Sequence, residues 1–247
     1  MLRGMLVAIT VLLSSLSWVP AVAHAELPIC PWRGTTLVPE AAIPHRDCQL
    51  HSTDGSGLKF DVTYWSAGDT ASPLAVRVVV LSPSGGELQT INELLEISSP
   101  SPVGLEDVDG DGRDELLIPI SQRKLNGANN TRFSLWRAEK EATHFERTQM
   151  MGQAVYRSGD GYVVTNSGAL SSRDLDFYLP TAAGYTQIVT ITISAEDIDL
   201  DTRKVRTARC VAHKQAGLGA IDMDWRDSPV FCESPAARAI WPDAQRI

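Results

Sequence analysis

The sequence predicts an all-β, antiparallel fold, a small β-propeller-like body or a propeller-related sandwich. Three observations carry this. Short runs alternate apolar and polar residues, as residues 58–65 do (Leu, Phe, Val and Tyr against Lys, Asp, Thr and Trp), so that each strand can bury one face. Clusters of turn formers separate the runs, such as Ser82-Pro83-Ser84-Gly85-Gly86 and Ser158-Gly159-Asp160-Gly161. No stretch sustains a 3.6-residue apolar period beyond a turn or two. Strand pairs recur at intervals of roughly 30 to 40 residues without aligning as a sequence repeat, which suggests successive sheets each feeding the next.

Residues 1–25 form a leader. Arg3 precedes a mostly apolar run over residues 5–16, and Ala23-His24-Ala25 gives a small-x-small cleavage site. Ser14, Ser15 and Ser17 break the run, which is short for a bilayer span. Ile29 before Cys30 is not the small residue of a lipoprotein box. The expectation is one exported β-rich domain over residues 26–247, without membrane insertion, in the periplasm or secreted.

Residues 27–51, rich in Pro and Cys, read as irregular. Strands follow at 58–65 and at the Val-rich 74–81, which looks buried on both faces, with 87–91 returning as its partner. Residues 92–97 suit a helical turn and 98–102 a loop, and the aliphatic run 116–120 reads as a strand. Residues 122–130 are polar, with Asn126-Gly127 as a turn. Residues 132–136 and 143–147 suggest a hairpin around Glu139-Lys140-Glu141, and 153–157 with 162–166 another. Strands at 175–179, 185–194 and 205–213 follow, with an acidic turn at 197–203. Short strands at 221–225 and 230–232 precede a weakly ordered tail from Ser234.

The chain has 22 basic and 30 acidic side chains, and Arg3 leaves with the leader, so the mature net charge is about −9. Such a chain without a basic run is a poor nucleic-acid binder and suits a cationic partner. The four cysteines, Cys30, Cys48, Cys210 and Cys232, suggest two disulfides in an oxidising compartment. Three pairings are open. Cys30–Cys48 with Cys210–Cys232 is favoured, each closing a short loop and contributing on the order of 3 kcal/mol, whereas Cys30–Cys232 would staple the chain ends.

Residues 105–118 carry the densest chemistry. With Asp107 as position 1, carboxylates fall at positions 1, 3, 5 and 9 (Asp107, Asp109, Asp111, Glu115). Gly112 falls at the sharp turn of position 6, and the Arg113 carbonyl can serve position 7. Four carboxylates this close repel one another, and a hard divalent cation, Ca2+, removes the repulsion. Ile118 stands where an EF-hand places its bidentate Glu, and a strand rather than a helix follows. The stretch resembles the calcium loop of FG-GAP and VCBS repeats, Asp-x-Asp/Asn-x-Asp-Gly-x-x-Asp followed by aliphatic residues, with Glu115 replacing the last Asp. Asp197, Asp199 and Asp201 repeat part of the spacing, but Thr202 and Val205 occupy positions 6 and 9, so a second metal is not expected.

The mature histidines (His45, His51, His144, His213) are scattered, and no Gly-x-Ser-x-Gly elbow or phosphate loop occurs, so no catalytic residue is marked and the expectation is a non-enzyme. Ser158-Gly159-Asp160-Gly161-Tyr162 reads first as a hairpin turn. It also resembles the Ser-Gly-x-x-Tyr loop with which several bacterial lysozyme inhibitors plug the lysozyme active site, which would make Ser158, Gly159 and Tyr162 partner-binding. Leader, single calcium loop and β-rich body together resemble a group of bacterial periplasmic proteins. That group includes immunity proteins against the lysozyme-like effectors of type IV secretion systems. The resemblance implies recognition and inhibition of a peptidoglycan-degrading enzyme, a protein partner. The alternatives are a calcium-dependent surface or carbohydrate-binding module, which exposed tryptophans such as Trp32, Trp65, Trp136, Trp225 or Trp241 would serve, and an unrecognised hydrolase.

Overall fold

The structure, a computed structural model, describes residues 27–30, 46–66, 74–96, 102–125, 128–139, 142–169, 171–182, 184–213 and 225–247. The leader, Trp32, most of the loop expected at 98–102, the Asn126-Gly127 turn, Lys140 and Glu141 of the hairpin tip, and residues 221–224 lie outside them.

Three antiparallel sheets follow one another along the chain. The first is a meander of β1 (Cys48–His51), β2 (Lys59–Trp65), β3 (Ala75–Leu81) and β4 (Glu87–Leu94). The second runs β5 (Gly104–Glu106), β6 (Glu115–Leu125), β7 (Ala128–Arg137), β8 (Glu146–Gly152). The third runs β9 (Ala154–Arg157), β10 (Val163–Ala169), β11 (Ser172–Thr181), β12 (Gly184–Ile198), β13 (Val205–His213), with the short β14 (Gln245–Arg246) parallel on β13. Apart from β14, each strand pairs with its neighbour in sequence, so each pairing closes only a short loop. The sheets do not close into a barrel.

Side-chain alternation decides how the sheets stack. On β6, Leu116 and Ile118 share a buried cluster with Phe60, Val62 and Val78 of the first sheet. Leu117, pointing the other way, packs with Phe133, Leu135 and Met150 and with Val155, Val163 and Tyr178 of the third sheet. The middle sheet is therefore buried on both faces, and its run Glu-Leu-Leu-Ile reads as continuously apolar after the acid for that reason. The third sheet repeats the device one strand pair on. Val163 and Tyr178 face the middle sheet, while their neighbours Val164 and Phe177 face Phe231, Ala236 and Ala237 of the C-terminal segment.

Several expectations need correction. Residues 48–51 are a strand, because Cys48 and Leu50 point into the first core. β3 is buried on one face only: Val76, Val78 and Val80 are buried while Arg77 and Val79 are not. Residues 92–94 extend β4 instead of turning into helix. The strand expected at 116–120 is longer, Glu115–Leu125, and Pro119 sits inside it beside a register shift between Pro119 and Ser121 that accommodates its missing N–H. Residues 143–145 precede β8 rather than belonging to it. From Trp225 the chain forms a 3-10 helix, Trp225–Glu233, followed by helix α1 (Pro235–Ala239) and β14, where a short strand at 230–232 and a loose tail were expected. Ser234 caps α1, its hydroxyl accepting from the Ala237 N–H at 3.1 Å, with Pro235 in the first turn where no N–H is needed. The apolar contacts of Phe231, Ala236 and Ala237 against the third sheet hold this segment.

Both favoured disulfides form, Cys30–Cys48 and Cys210–Cys232, at sequence separations of 18 and 22. The second ties β13 to the 3-10 helix. Two disulfides fit an extracytoplasmic protein. No helix among the described residues is long and apolar enough to cross a membrane.

Candidate functional site

The loop between β5 and β6 lies at one end of the middle sheet. Its carboxylates fold it locally. Asp107 accepts from the Gly110 N–H (2.6 Å) and the Gly112 N–H (3.2 Å), Asp109 from the Asp111 N–H (3.0 Å), and Asp111 from the Arg113 N–H (2.8 Å). Gly112 has φ +87°, the left-handed turn expected at position 6. Glu115, the first residue of β6, reaches back so that one carboxylate oxygen accepts from the Val108 N–H at 2.8 Å. The result is that one carboxylate oxygen each from Asp107, Asp109 and Glu115 lie within 4.8 Å of one another.

Glu115 is the anomaly. It is 0% exposed, and among the described residues its Oε1 has no hydrogen-bond partner. Burial, and then the charge of Asp109, push its carboxyl up to about 9. A buried acid with an unsatisfied oxygen turned toward two aspartates is costly unless a cation joins it.

Arginines meet part of this negative charge. Arg137, the last residue of β7, places Nη2 3.2 Å from Asp109 Oδ2 and 3.0 Å from Asp111 Oδ2, and Nε 3.8 Å from Glu115 Oε1. Its Nη1 donates to the Thr181 carbonyl at 3.1 Å, and its guanidinium lies 5.2 Å from the centre of the Tyr185 ring. Burial works to lower the Arg137 pKa, but Asp109, Tyr185 and Asp111 outweigh it and raise it. Tyr185 donates its hydroxyl to Asp109 Oδ2 at 3.1 Å, and burial, with Glu115 and Asp109 close by, drives its pKa far above the usual phenol range. Arg157 of β9 spans the Asp107 carbonyl (2.8 Å) and carboxylate (2.9 Å).

On the opposite side the loop is tied to the first sheet. Asp114 accepts from the Thr53 N–H at 2.5 Å and the Thr53 hydroxyl at 3.1 Å. Asp54 pairs with Arg113 (Nε to Oδ2, 3.3 Å) and accepts from the Asp114 N–H at 3.2 Å. Arg113 also donates to the Ala142 carbonyl at 2.9 Å. One loop of the middle sheet thus contacts side chains or backbone from all three sheets.

The structure brings Asp107, Asp109 and Glu115 together, and places Asp111 one arginine away. Arg137, Tyr185, Arg157, Asp54 and Thr53 were not legible in the sequence, because they reach the loop across separations such as 26, 76 and 50 residues. The donor set suits a hard, oxygen-seeking divalent cation: carboxylates only, with the buried Glu115 Oε1 lacking a partner. Asp199, by contrast, is already satisfied. It accepts from the Asp201 and Thr202 N–H groups (3.0 and 2.9 Å) and pairs with Arg206 at 2.5 Å.

In the other candidate loop, Ser158 is buried and Tyr162 is partly buried. The Ser158 N–H donates to the Tyr162 carbonyl at 2.9 Å, closing the hairpin between β9 and β10. Ser158 is only 3% exposed, so its hydroxyl is not presented to a partner. The Tyr162 ring packs on Phe177 and Phe231 (6.1 and 5.3 Å between centroids) as part of the third core. What the loop does expose is its tip, Gly159, Asp160 and Gly161.

A cleft of about 520 Å³ opens beside the loop, lined among others by Arg137, His144, Glu146, Arg147, Gln149 and Tyr185. Trp136 is partly buried, donating to Glu93 at 3.1 Å, and Trp241 packs on the third core, whereas Trp65 is 59% exposed.

No family model matches the chain, and no curated protein matches it. A solved structure of a type IV secretion system related protein from Xanthomonas is similar, at 15% identity and a TM-score of 0.43, over 71% of this chain and 93% of that one. A likeness at that level carries no functional argument.

Proposed function

We propose that the chain is an exported, calcium-stabilised binding protein with a propeller-related stack of sheets. One Ca2+ is held by Asp107, Asp109, Asp111, the Arg113 carbonyl and Glu115. The observation that carries this is the fully buried Glu115 carboxylate, grouped with Asp107 and Asp109, with one oxygen that makes no hydrogen bond among the described residues and meets Arg137 only at 3.8 Å. Calcium there neutralises the cluster and ties the three sheets at one end, a structural rather than catalytic role.

The favoured action is binding without catalysis: recognition and inhibition of a peptidoglycan-degrading, lysozyme-like enzyme in the periplasm, as an immunity or inhibitor protein. The acidic net charge supports a cationic enzyme partner. The contact would use the exposed Gly159-Asp160-Gly161 tip rather than the Ser158 and Tyr162 side chains. The test is inhibition of lysozyme-type and transglycosylase activities by micromolar mature protein, with calcium and with chelator. Unchanged activity of every such enzyme ends the inhibitor reading.

A second reading, a surface or carbohydrate-binding module, has one observation behind it. Trp65 (59% exposed) and Leu94 (82% exposed) flank Ala75 in one register row on the outer face of the first sheet. Glycan-array binding that is lost in Trp65→Ala would decide for it.

A further inference from the structure

We infer that Arg137 is the resident counter-cation of the acidic loop and that its guanidinium competes with a divalent cation for the same carboxylates. The inference rests on the calcium reading above and adds the residue that sets the affinity. A metal positioned by Asp107, Asp109 and Glu115 needs oxygens that Arg137 already faces. Nη2 lies 3.2 Å from Asp109 Oδ2 and 3.0 Å from Asp111 Oδ2, and Nε lies 3.8 Å from Glu115 Oε1. These contacts to Asp109 and Asp111 are charge-assisted and strong, but they leave Glu115 Oε1 without a hydrogen bond. The guanidinium meets Asp109 and Asp111 through one nitrogen and leaves Glu115 Oε1 at 3.8 Å, whereas one carboxylate oxygen each from Asp107, Asp109 and Glu115 lie within 4.8 Å of one another, close enough to share one divalent ion.

Arg137 also has somewhere to go. It lines the cleft of about 520 Å³ on one side and a shallower depression with Asp109, Gly110, Asp111, Pro180, Thr181 and Ala182 on the other. Moving it requires breaking the bond to the Thr181 carbonyl and the contact with the Tyr185 ring, but no repacking of the cores. Arg157 takes a smaller part. Its side chain is 52% exposed and reaches Asp107 alone among the loop carboxylates.

Competition makes a prediction of opposite signs. Removing the guanidinium takes a positive charge away from the incoming cation, so calcium binds more tightly. It also strips the metal-free loop of its counter-ion, so that form becomes less stable. A residue that merely preorganised the loop would lower both quantities.

The experiment is calorimetric titration of CaCl2 into the full mature protein and its Arg137→Gln and Arg137→Lys variants, with thermal melts in chelator. Arg137→Gln is expected to bind calcium at least about tenfold more tightly, and to melt lower in chelator, with Arg137→Lys between it and wild type. Equal or weaker calcium binding by Arg137→Gln overturns the competition while leaving calcium in the loop. If wild type and both variants show neither a binding heat nor sensitised terbium luminescence, the calcium reading itself falls and the inference with it. Should Arg137→Gln not fold, the wild type still answers. The Arg137 Nε–H resonance is expected to move on calcium titration, and one that stays in place overturns the inference.

Discussion

Glu115→Gln should stabilise the metal-free protein at neutral pH, the reverse of what most substitutions of a fully buried polar residue do. The carboxyl has an ordinary value of 4.5 and stands near 9 in the fold. A group raised in this way contributes stability that is complete below pH 4.5 and is lost as pH rises through 9. At pH 7 the fold must keep the acid neutral against its unfolded tendency to ionise, which costs on the order of 3 kcal/mol. Glutamine keeps the shape and can still accept from the Val108 N–H, but it carries no charge to neutralise. The gain is smaller than the full amount because an amide N–H would face Arg137 Nε. A chain of this length shifts its melting temperature by roughly 2–4 °C per kcal/mol, so melts in chelator at pH 7 should rise by about 3–10 °C. The advantage should shrink as pH falls to 4.5 and vanish below it, where the wild-type acid is protonated in both states. Calcium at a hundredfold excess over its dissociation constant should add about 2.7 kcal/mol to wild type and much less to the variant, which lacks an anionic ligand. A Glu115→Gln protein that melts below wild type in chelator at pH 7 would refute the reasoning, since the carboxylate would then be making favourable contacts as an anion.

Other expectations follow from the same geometry. Asp54→Ala leaves Arg113 buried without its acid and the Asp114 N–H without an acceptor, and should cost about 3–5 kcal/mol by chemical denaturation; a loss under about 1 kcal/mol would mean that the tie between the first and middle sheets is not energetic. Burial raises Tyr64 and Tyr178 to about 12, above their ordinary value of 10. Their contribution to stability is present below pH 10 and lost as pH rises through 12, so absorbance titration of the folded protein should show these two phenols ionising only as the fold opens. Reversible ionisation of all five tyrosines near pH 10 with the fold intact would contradict this.

Local pattern was enough for much of the architecture. Period-two alternation placed β2, because one apolar face per strand is written into neighbouring residues, and β-rich runs bounded by turn formers placed the bodies of β3 and β9 to β13. Cysteine spacing favoured the observed pairing among the three open ones, since each pair closes a short loop. The turns of the acidic loop were legible: Asp-x-Asp-x-Asp-Gly is a local device in which each carboxylate folds the next turn of chain. The C-terminal segment was not legible. Its 3-10 helix and α1 are too short for a period, and they hold because Phe231, Ala236 and Ala237 find an apolar face of the third sheet.

What only the tertiary structure decided is how the loop's charge is met. Sequence alone set out Asp107, Asp109, Asp111 and Glu115 as an acidic cluster. Whether such a cluster lies in solvent or around a buried acid depends on what folds over it. Tyr185 arrives from 76 residues away, Arg157 from 50 and Arg137 from 26, each at the end or start of a strand whose register is set by its own sheet. The same dependence acts on the other two turns singled out in the sequence. Tyr162 turns inward because its neighbours in space are Phe177 and Phe231, and Asp199 is closed by Arg206. Side-chain chemistry is local, but desolvation is a property of the whole packed chain, and it is desolvation that makes Glu115 the residue on which this site turns.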